Sequence, residues 1–304
     1  MPGTIFYWVL NVSILGSIAG LLLLLIRRIR AFPRFGIYLL WIVPWLRLWM
    51  PIGFAYPFSF LNLFSPNTIK TVPVIEGFLG YPDFSAMNFM QFAENYVPMS
   101  YRSDVLRDVF EVAGIVWMVV GFAAVVCAFI LFFVSRASLK GARHISDNIY
   151  CSDRVLSPAV YGILVPKIVL PTDGLDDYAY VLMHERVHIR RRDNLWRFAA
   201  ILTVCVHWFN PLIWVFLRCF FIDLEMACDS RVLKDLRDDE KRKYAAALLS
   251  WSSGKTSLAS AFGGMKVRRR IEHILSYKRL TWFSTLGFTV LILVIAVSIL
   301  TNAT

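Results

Sequence analysis

The stretch His184-Glu185-Arg186-Val187-His188 carries two imidazoles and a carboxylate within five positions. Side chains four positions apart on a helix lie on the same face, so a helix here turns both imidazoles the same way. Two histidines in that arrangement suit a zinc ion, and the glutamate beside the first one suits a general base. The motif predicts that His184 and His188 bind zinc and that Glu185 is catalytic. The alternative is a pair of histidines packed on an ordinary helix.

The residues around the motif predict one long helix. Asp176 and Asp177 favour a helix amino terminus, and the helix is expected to continue through the motif towards Trp196. Asp193 follows the second histidine closely. Its carboxylate can accept a hydrogen bond from a ligand imidazole or pair with a neighbouring arginine, and both interpretations stay open.

A catalytic zinc needs about three protein ligands, and the third is expected in Glu225-Met226-Ala227-Cys228-Asp229. Glu225 is the predicted ligand. Asp229, one helical turn further, can hydrogen-bond a ligand histidine and fix its tautomer. The alternative is an acidic helix face. Cys228 is better explained by packing than by metal binding.

An apolar segment, Phe198 to Ile222, separates the histidines from Glu225 and is long enough to cross a bilayer. Two ligands of one ion cannot lie on opposite faces of a membrane. Asn210-Pro211 lies near the middle of the segment and is a natural helix breaker. We therefore expect residues 198–222 to form a membrane-associated helical hairpin that returns Glu225 to the histidines.

The composition predicts an integral membrane protein, since 58% of the residues are hydrophobic and 17% are charged. Three apolar runs without charge are long enough to span a bilayer. These predicted spans are Ile5–Ile26, Ala113–Val134 and Thr281–Leu300. The segment 36–56 is interrupted by Pro44, Arg47 and Pro51, so it is either a kinked span with Arg47 facing the bundle or a surface segment. We favour the span, which makes three within residues 1–134.

Charge orients the predicted spans. Arginines and lysines follow the first span at 27–34 and the run Ala113–Val134 at 136–143, which predicts that both flanks are cytoplasmic. Residues 57–110 hold few basic residues and are expected to form an external loop. The net charge of +11 suits the anionic lipids of the cytoplasmic leaflet. No recognised DNA-binding motif accompanies this charge, so we expect no direct nucleic acid binding.

The chain divides into three parts by this pattern. Residues 1–134 form an N-terminal membrane region with three predicted transmembrane helices, residues 135–280 a cytoplasmic domain, and residues 281–304 a C-terminal transmembrane helix. The cytoplasmic part begins with predicted strands at 148–155, 160–164 and 167–170, bounded by prolines that suit a sheet edge. Tyr161–Leu164 either receives an extended peptide by strand addition or covers the core as a hairpin.

Several motifs together carry a resemblance to a known family. They are the HExxH-x-R-R-R-D stretch, His207-Trp208-Phe209-Asn210-Pro211-Leu212-Ile213-Trp214, Glu225-x-Ala227-Cys228-Asp229 and the pattern of spans. The chain resembles the BlaR/MecR-type antirepressor membrane zinc metalloproteases over nearly its whole length. The resemblance implies a helical transmembrane bundle with a cytoplasmic α+β metalloprotease domain of the zincin-like (gluzincin) class.

The resemblance also implies a function in signal transduction and in the regulation of antibiotic resistance. An external signal activates the protease, which cleaves itself or a cytoplasmic transcriptional repressor. By the same resemblance His184, His188 and Glu225 bind zinc and Glu185 is the base. Antibiotic-sensing members continue into an external penicillin-binding domain, whereas this sequence stops at Thr304. We expect no such sensor here, so the stimulus reaches residues 57–110 or a separate sensor partner.

Two other classes of protein stay open. One is a membrane receptor or scaffold whose metal site is structural and which signals without hydrolysis. The other is a CAAX-type or housekeeping membrane zinc protease with a different substrate. The five cysteines show no C-x-x-C spacing and are expected to be reduced thiols.

Overall fold

The computed structural model describes residues 2–29, 32–50, 57–59, 104–137, 141–155, 157–172, 178–253, 260–277 and 282–301. The described chain is mostly helical. Its helices are α1 (Pro2–Ile26), α2 (Arg34–Leu40), α3 (Ile42–Trp49), α4 (Asp104–Ala137), α5 (Ala179–Arg191), α6 (Asp193–Val206), α7 (Pro211–Asp235), α8 (Asp238–Ser253), α9 (Ser260–Leu275) and α10 (Trp282–Leu300). Its strands are β1 (Arg143–Ser146), β2 (Ile149–Ser152), β3 (Ala159–Tyr161) and β4 (Lys167–Pro171).

The chain forms two compact units. Unit 1 comprises Met1–Val125, Thr203–Phe216 and Trp282–Thr304, and unit 2 comprises Val126–Leu202 and Leu217–Thr281. Most of the predicted external loop 57–110 lies outside the described residues, as do Asp176 and Asp177.

Two described helical segments are long and apolar enough to cross a membrane, by length and composition. They are Ile5–Ile26 and Asp108–Arg136, the latter with most of its surface exposed. The last predicted span corresponds to a shorter apolar segment, Leu286–Leu300, within α10. An apolar surface that the protein leaves exposed along Asp108–Arg136 is what lipid contact requires.

The doubtful segment 36–56 contains two short helices, α2 and α3, which meet at Trp41. Pro44 explains the interruption because it has no N–H to donate to the carbonyl of Leu40, four residues earlier. At the junction Trp41 N–H donates to Tyr38 O at 3.2 Å, a bond between residues three apart. Trp45 N–H then donates to Trp41 O at 3.3 Å, the four-residue spacing of an α-helix. The described part of this segment is therefore broken rather than one continuous helix.

Unit 2 contains a four-stranded sheet in the order β1-β2-β4-β3. β1 pairs antiparallel with β2, β2 parallel with β4, and β3 antiparallel with β4. β2, β3 and β4 overlap the three predicted strands, whereas β1 was not predicted. Fully exposed β1 shows no burial alternation, so its sequence carries no period-two signal.

The sheet packs on the helix that carries the metal motif. Ile149, Ile168 and Leu170 of the sheet form a buried cluster against Leu182 and Ile189 of α5. A second buried cluster joins the end of α7 to α8 and α9 through residues 232, 233, 236, 244, 245 and 274. Tyr180 and Val187 of α5 pack against this second cluster, so it joins α5 to α7 as well.

The prediction of one helix through Trp196 is wrong. α5 ends at Arg191, and Arg192 adopts a left-handed conformation with φ 55° and ψ 41°. α6 then begins at Asp193. A non-glycine residue in this conformation costs roughly 1–2 kcal/mol. The local sequence has no glycine or proline to signal the break, and the compensating contact, described below, is tertiary.

The break near the middle of 198–222 lies at the predicted dipeptide. α6 ends at Val206, and α7 begins at Pro211. Asn210 caps α7, since its Oδ1 accepts a hydrogen bond from Leu212 N–H at 3.0 Å, and proline is well suited to the first helical position. The chain leaves unit 2 after Leu202 and returns at Leu217. His184, His188 and Glu225 therefore all belong to unit 2.

Candidate metal centre

Helix α5 turns the two histidines of the motif towards each other. His184 and His188 lie one helical turn apart, and their Nε2 atoms are 3.0 Å apart. Both side chains are buried, at 4% exposure each. The helix therefore presents two nitrogen atoms to one point, as the four-residue spacing predicts.

Glu225 of α7 completes a triangle with these nitrogens. Its Oε2 lies 3.4 Å from His184 Nε2 and 3.7 Å from His188 Nε2. Around a tetrahedral zinc with bonds of about 2.0–2.1 Å, two donor atoms lie about 3.3 Å apart. The three distances, 3.0, 3.4 and 3.7 Å, bracket that value. Two imidazole nitrogens and a carboxylate oxygen also match the chemistry of catalytic zinc sites.

Glu185 shares a pocket with this triangle. The pocket has a volume of about 230 Å³ and is lined by Glu185, both histidines and Glu225, among other residues. The opposite wall includes Ala159 and Val160 of the edge strand β3. The predicted substrate segment Tyr161–Leu164 does not line the pocket. The four residues before it, 157–160, do line the pocket.

The outer nitrogen of His188 is held by an acidic residue. Asp193 Oδ2 accepts a hydrogen bond from His188 Nδ1 at 2.6 Å, and the aspartate is fully buried. This contact requires the chain to turn at Arg192, which explains the left-handed residue between the two helices. Asp193 Oδ1 also lies 3.3 Å from Arg191 Nε. Asp193 thus makes both of the contacts considered from the sequence, one with His188 and one with Arg191.

His184 is held through a tyrosine that the sequence did not indicate. Its Nδ1 lies 2.8 Å from the Tyr244 hydroxyl, which donates to Asp229 Oδ1 at 2.6 Å. Asp229 itself lies 3.3 Å from His184 Nδ1. The predicted aspartate is therefore at the histidine, with the tyrosine as an additional bridge. Tyr244 comes from α8, and nothing in its neighbouring sequence distinguishes it from a core tyrosine.

Two arginines meet the acidic residues of the site. Arg270 of α9 donates from Nε to Asp229 Oδ2 at 2.8 Å and from Nη2 to Asp229 Oδ1 at 2.7 Å, a two-pronged pair. Its Nη1 lies 3.4 Å from Glu225 Oε2. Arg197 of α6 forms an ion pair with Glu225 Oε1. Arg270 ends a basic run in the sequence, residues 266–270, and its side chain lies at the candidate metal centre.

The charges of this cluster shift one another's proton affinities. Burial by itself lowers the pKa of His184 and His188, but the acidic groups around them, beginning with Cys228, raise both pKa values well above the ordinary one. Burial raises the pKa of Glu225, yet His188, His184 and Arg270 hold that pKa well below its usual range. Arg270 likewise outweighs burial and lowers the pKa of Asp229. Both carboxylates are therefore ionised near neutral pH, and their oxygens accept hydrogen bonds or can bind a metal ion.

Cys228 is a second candidate for a metal ligand. Its ligand atom and those of His184 and His188 all lie within 4.8 Å of one another. However, its Sγ lies 3.5 Å from His184 Nδ1, the nitrogen that also faces Tyr244 and Asp229. The thiol is fully buried and does not line the pocket. The Nε2 atoms face Glu225, so geometry favours the glutamate.

Comparison with known proteins adds an independent line of evidence. The chain matches the family model described as BlaR1 peptidase M56 over residues 7–274. It is 32% identical over 127 residues to the regulatory protein BlaR1 of Bacillus licheniformis, covering 40% of this chain and 21% of that protein. It is 28% identical over 106 residues to the methicillin resistance mecR1 protein of Staphylococcus aureus, covering 33% of this chain and 18% of that protein.

The same identity is found with the methicillin resistance mecR1 protein of Staphylococcus epidermidis. The chain thus aligns with about a fifth of the length of these relatives, 21% and 18%. The family match covers the metal motif, Glu225 and Arg270. It confirms the resemblance to BlaR/MecR-type proteins drawn from the motifs, and the chain belongs to the BlaR1 peptidase M56 family.

Proposed function

We propose that this protein is a membrane-embedded zinc metallopeptidase that acts in signal transduction. In response to an external signal it cleaves a cytoplasmic transcriptional repressor, itself, or both. The observation that carries the proposal is the convergence of His184 Nε2, His188 Nε2 and Glu225 Oε2 beside Glu185 in one pocket. Membership of a peptidase family supports the same conclusion.

His184, His188 and Glu225 would hold the zinc ion. Their second contacts prepare them for that role, because a ligand imidazole works best when its other nitrogen is fixed by a hydrogen bond. Asp193 fixes His188, and Tyr244 with Asp229 fixes His184. Arg197 and Arg270 restrain the carboxylate of Glu225. Each proposed ligand is thus oriented by a charged or polar neighbour.

Glu185 is the proposed general base. A peptide seated in the pocket brings its scissile carbonyl next to this carboxylate, which takes a proton from the attacking water and delivers it to the leaving nitrogen. When bound, zinc supplies the Lewis acidity that polarises the carbonyl and favours loss of that proton. Glu185 is 8% exposed, so bulk water does not compete strongly at its carboxylate.

The substrate is proposed to bind in an extended conformation. β3 is the last strand of the sheet and lines the pocket through Ala159 and Val160. An exposed strand edge can take up an extended peptide by main-chain hydrogen bonding. A flexible segment of a repressor, or of a second copy of this protein, meets that requirement.

The setting is proposed to be the bacterial plasma membrane, with several spans and with unit 2 in the cytoplasm. Support comes from the apolar segments Ile5–Ile26 and Asp108–Arg136 and from the basic residues that follow them. The names of the relatives refer to regulation and to methicillin resistance. We propose by analogy that this protein regulates antibiotic-resistance genes, either through its own external residues or through a separate sensor.

Glu185→Ala tests the enzymatic part of the proposal. The variant should retain one zinc per chain, because Glu185 is not a proposed ligand, and it should lose proteolysis completely. Bound metal is measured by elemental analysis of protein purified in detergent, and proteolysis by mapping new protein amino termini in cells. Asp153→Ala, at an exposed carboxylate of the same unit, is the control and should behave as wild type.

The two measurements separate the alternatives. Amino termini that are identical in wild type and Glu185→Ala would exclude a peptidase and favour a non-proteolytic receptor with a structural metal. Termini that depend on Glu185 identify the substrate. A repressor among those substrates supports the regulatory role, whereas prenylated or general membrane proteins would point to a CAAX-type or housekeeping protease.

A further inference from the structure

Asn194 links the edge strand to the metal centre. Its Nδ2 donates to Val160 O at 2.8 Å and to Gly162 O at 3.0 Å. Both partners are carbonyl oxygens, so only the amide nitrogen, with its two hydrogens, can serve them together. The side chain therefore bridges two carbonyls that are two residues apart, one within β3 and one just beyond its end.

These carbonyls point to the outer edge of β3. Groups two residues apart on an extended chain point to the same side, and Asn194 donates to both carbonyls. Ile168 of β4, which lies opposite Val160, donates its N–H to Asn148 O at 2.9 Å instead. β3 is the terminal strand of the described sheet. Asn194 thus occupies the acceptors that an added strand would need at Val160 and Gly162.

The strand also ends at this point. Gly162 has φ +92°, a conformation that favours glycine, and a Cβ there would lie 2.6 Å from Val165 O. The chain therefore turns away directly after Tyr161, the last residue of β3. Residues 157–160 line the pocket, and Val160 is the first of them whose carbonyl is already bonded to Asn194.

Asn194 is also fixed relative to the metal ligands by its neighbour. Asp193, one residue earlier, accepts the hydrogen bond of His188 Nδ1. Two consecutive residues at the start of α6 thus hold a metal ligand and the substrate edge. Because Asp193 and Asn194 are neighbours in the chain, the position of β3 relative to His188 is restrained.

We propose that Asn194 is a specificity-determining positioning residue that fixes the register in which an extended substrate strand binds on β3. This inference rests on the proposed peptidase function. By occupying the carbonyls of Val160 and Gly162, Asn194 stops a guest strand from pairing with the edge from the Val160 carbonyl onward. The bond that faces Glu185 is thereby selected. Without the block a guest strand can slip along the edge by two residues, which keeps its side chains on the same faces.

Asn194→Asp tests this role with little change of shape, because it replaces the amide donors by an oxygen that cannot bond the carbonyls when ionised. Asn194→Ala removes the side chain. Both should keep wild-type zinc content and yield cleavage of the same substrates at additional bonds two residues from the wild-type sites. The readout is the map of Glu185-dependent amino termini in cells. Asp193→Asn is the contrasting variant, and it should lower zinc affinity about 10–100-fold without moving the sites.

Three outcomes are decisive. New termini displaced by two residues support the proposal. Termini at wild-type positions with a uniform loss of yield and full zinc content overturn it, because a merely structural role predicts that pattern. A wild type without Glu185-dependent termini overturns the peptidase function and this role together. In that case hydrogen exchange of residues 157–163 still reports whether Asn194 clamps β3, since exchange there should quicken in Asn194→Ala.

Discussion

Glu225 and Cys228 approach the paired histidines from different sides. Glu225 Oε2 lies 3.4 Å from His184 Nε2, whereas Cys228 Sγ lies 3.5 Å from His184 Nδ1. An imidazole binds a metal through one nitrogen while the other is held by a hydrogen bond. Since Tyr244 lies 2.8 Å from Nδ1, that nitrogen is the held one. At the scale of single residues, the tyrosine decides which neighbour can be a ligand.

We expect Glu225→Ala to lose bound zinc and Cys228→Ala to keep it. The carboxylate is the third proposed ligand, and the thiol only packs behind His184. Zinc content is measured on protein purified in detergent and dialysed against a weak chelator, with wild type as the reference. The assignment is reversed if Cys228→Ala loses the metal and Glu225→Ala retains it.

Arg270 of helix α9 pairs with two acidic residues of the candidate metal centre, Asp229 and Glu225. Arg270 pairs with the fully buried Asp229, while Arg268 on the same helix makes only an exposed pair with Glu272. A buried pair contributes little net stability as a pair, but removal of one partner leaves a buried charge without compensation. We therefore expect Arg270 to contribute much more to the free energy of unfolding than Arg268, although the two lie only two positions apart.

Arg270→Ala should destabilise unit 2 by about 3–5 kcal/mol and lower its melting temperature by on the order of 10 °C. Arg268→Ala is the matched control, and it should change stability by only about 0.3–0.5 kcal/mol. Thermal unfolding in detergent, followed by circular dichroism or intrinsic fluorescence, compares the two variants. Equal melting temperatures for the two variants would show that the ion pair of Arg270 with Asp229 does not stabilise the fold.

At the scale of the whole molecule, the path of the chain brings the proposed ligands together. It leaves unit 2 after Leu202 and returns at Leu217, so the histidines and Glu225 belong to one unit although an apolar stretch separates them in sequence. Asn210 supports the turn from within unit 1, where its Nδ2 donates to Ser13 Oγ at 2.8 Å and to Ser17 Oγ at 2.7 Å. Such polar contacts are well suited to apolar helical surroundings.

Cysteines introduced before and after this stretch should lie in the same compartment. We expect Asp153→Cys and Asp239→Cys, both at exposed positions, to react with a membrane-impermeant maleimide only after the membrane is opened. The parent protein, treated in parallel, measures how far the native cysteines react with the maleimide. Opposite responses at the two positions would mean that the stretch crosses the membrane once, and the proposed metal site would then be untenable.

Much of the site could be predicted from the sequence because its signals are local. The spacing of His184 and His188 specifies one helix face, and the acidic residues around Cys228 gave Glu225 and Asp229 as partners. Tyr244, Arg197 and Arg270 escaped prediction, since they come from three other places in the chain. Each contacts the site only after folding, and an arginine in a basic run looks the same in sequence whether it is buried or solvated.

The sequence by itself determined the elements and their chemistry: an HExxH helix, apolar segments of membrane length, a break at Asn210-Pro211 and a family relationship across most of the chain. The elements follow from periodicity, composition and backbone restrictions, which act over a few neighbouring residues, whereas the family relationship rests on the combination of motifs and the match over residues 7–274. Only the tertiary structure decided the break at Arg192, the network that orients the histidines and the clamp of Asn194 on β3. Their stabilising contacts join distant residues, so no local pattern encodes them.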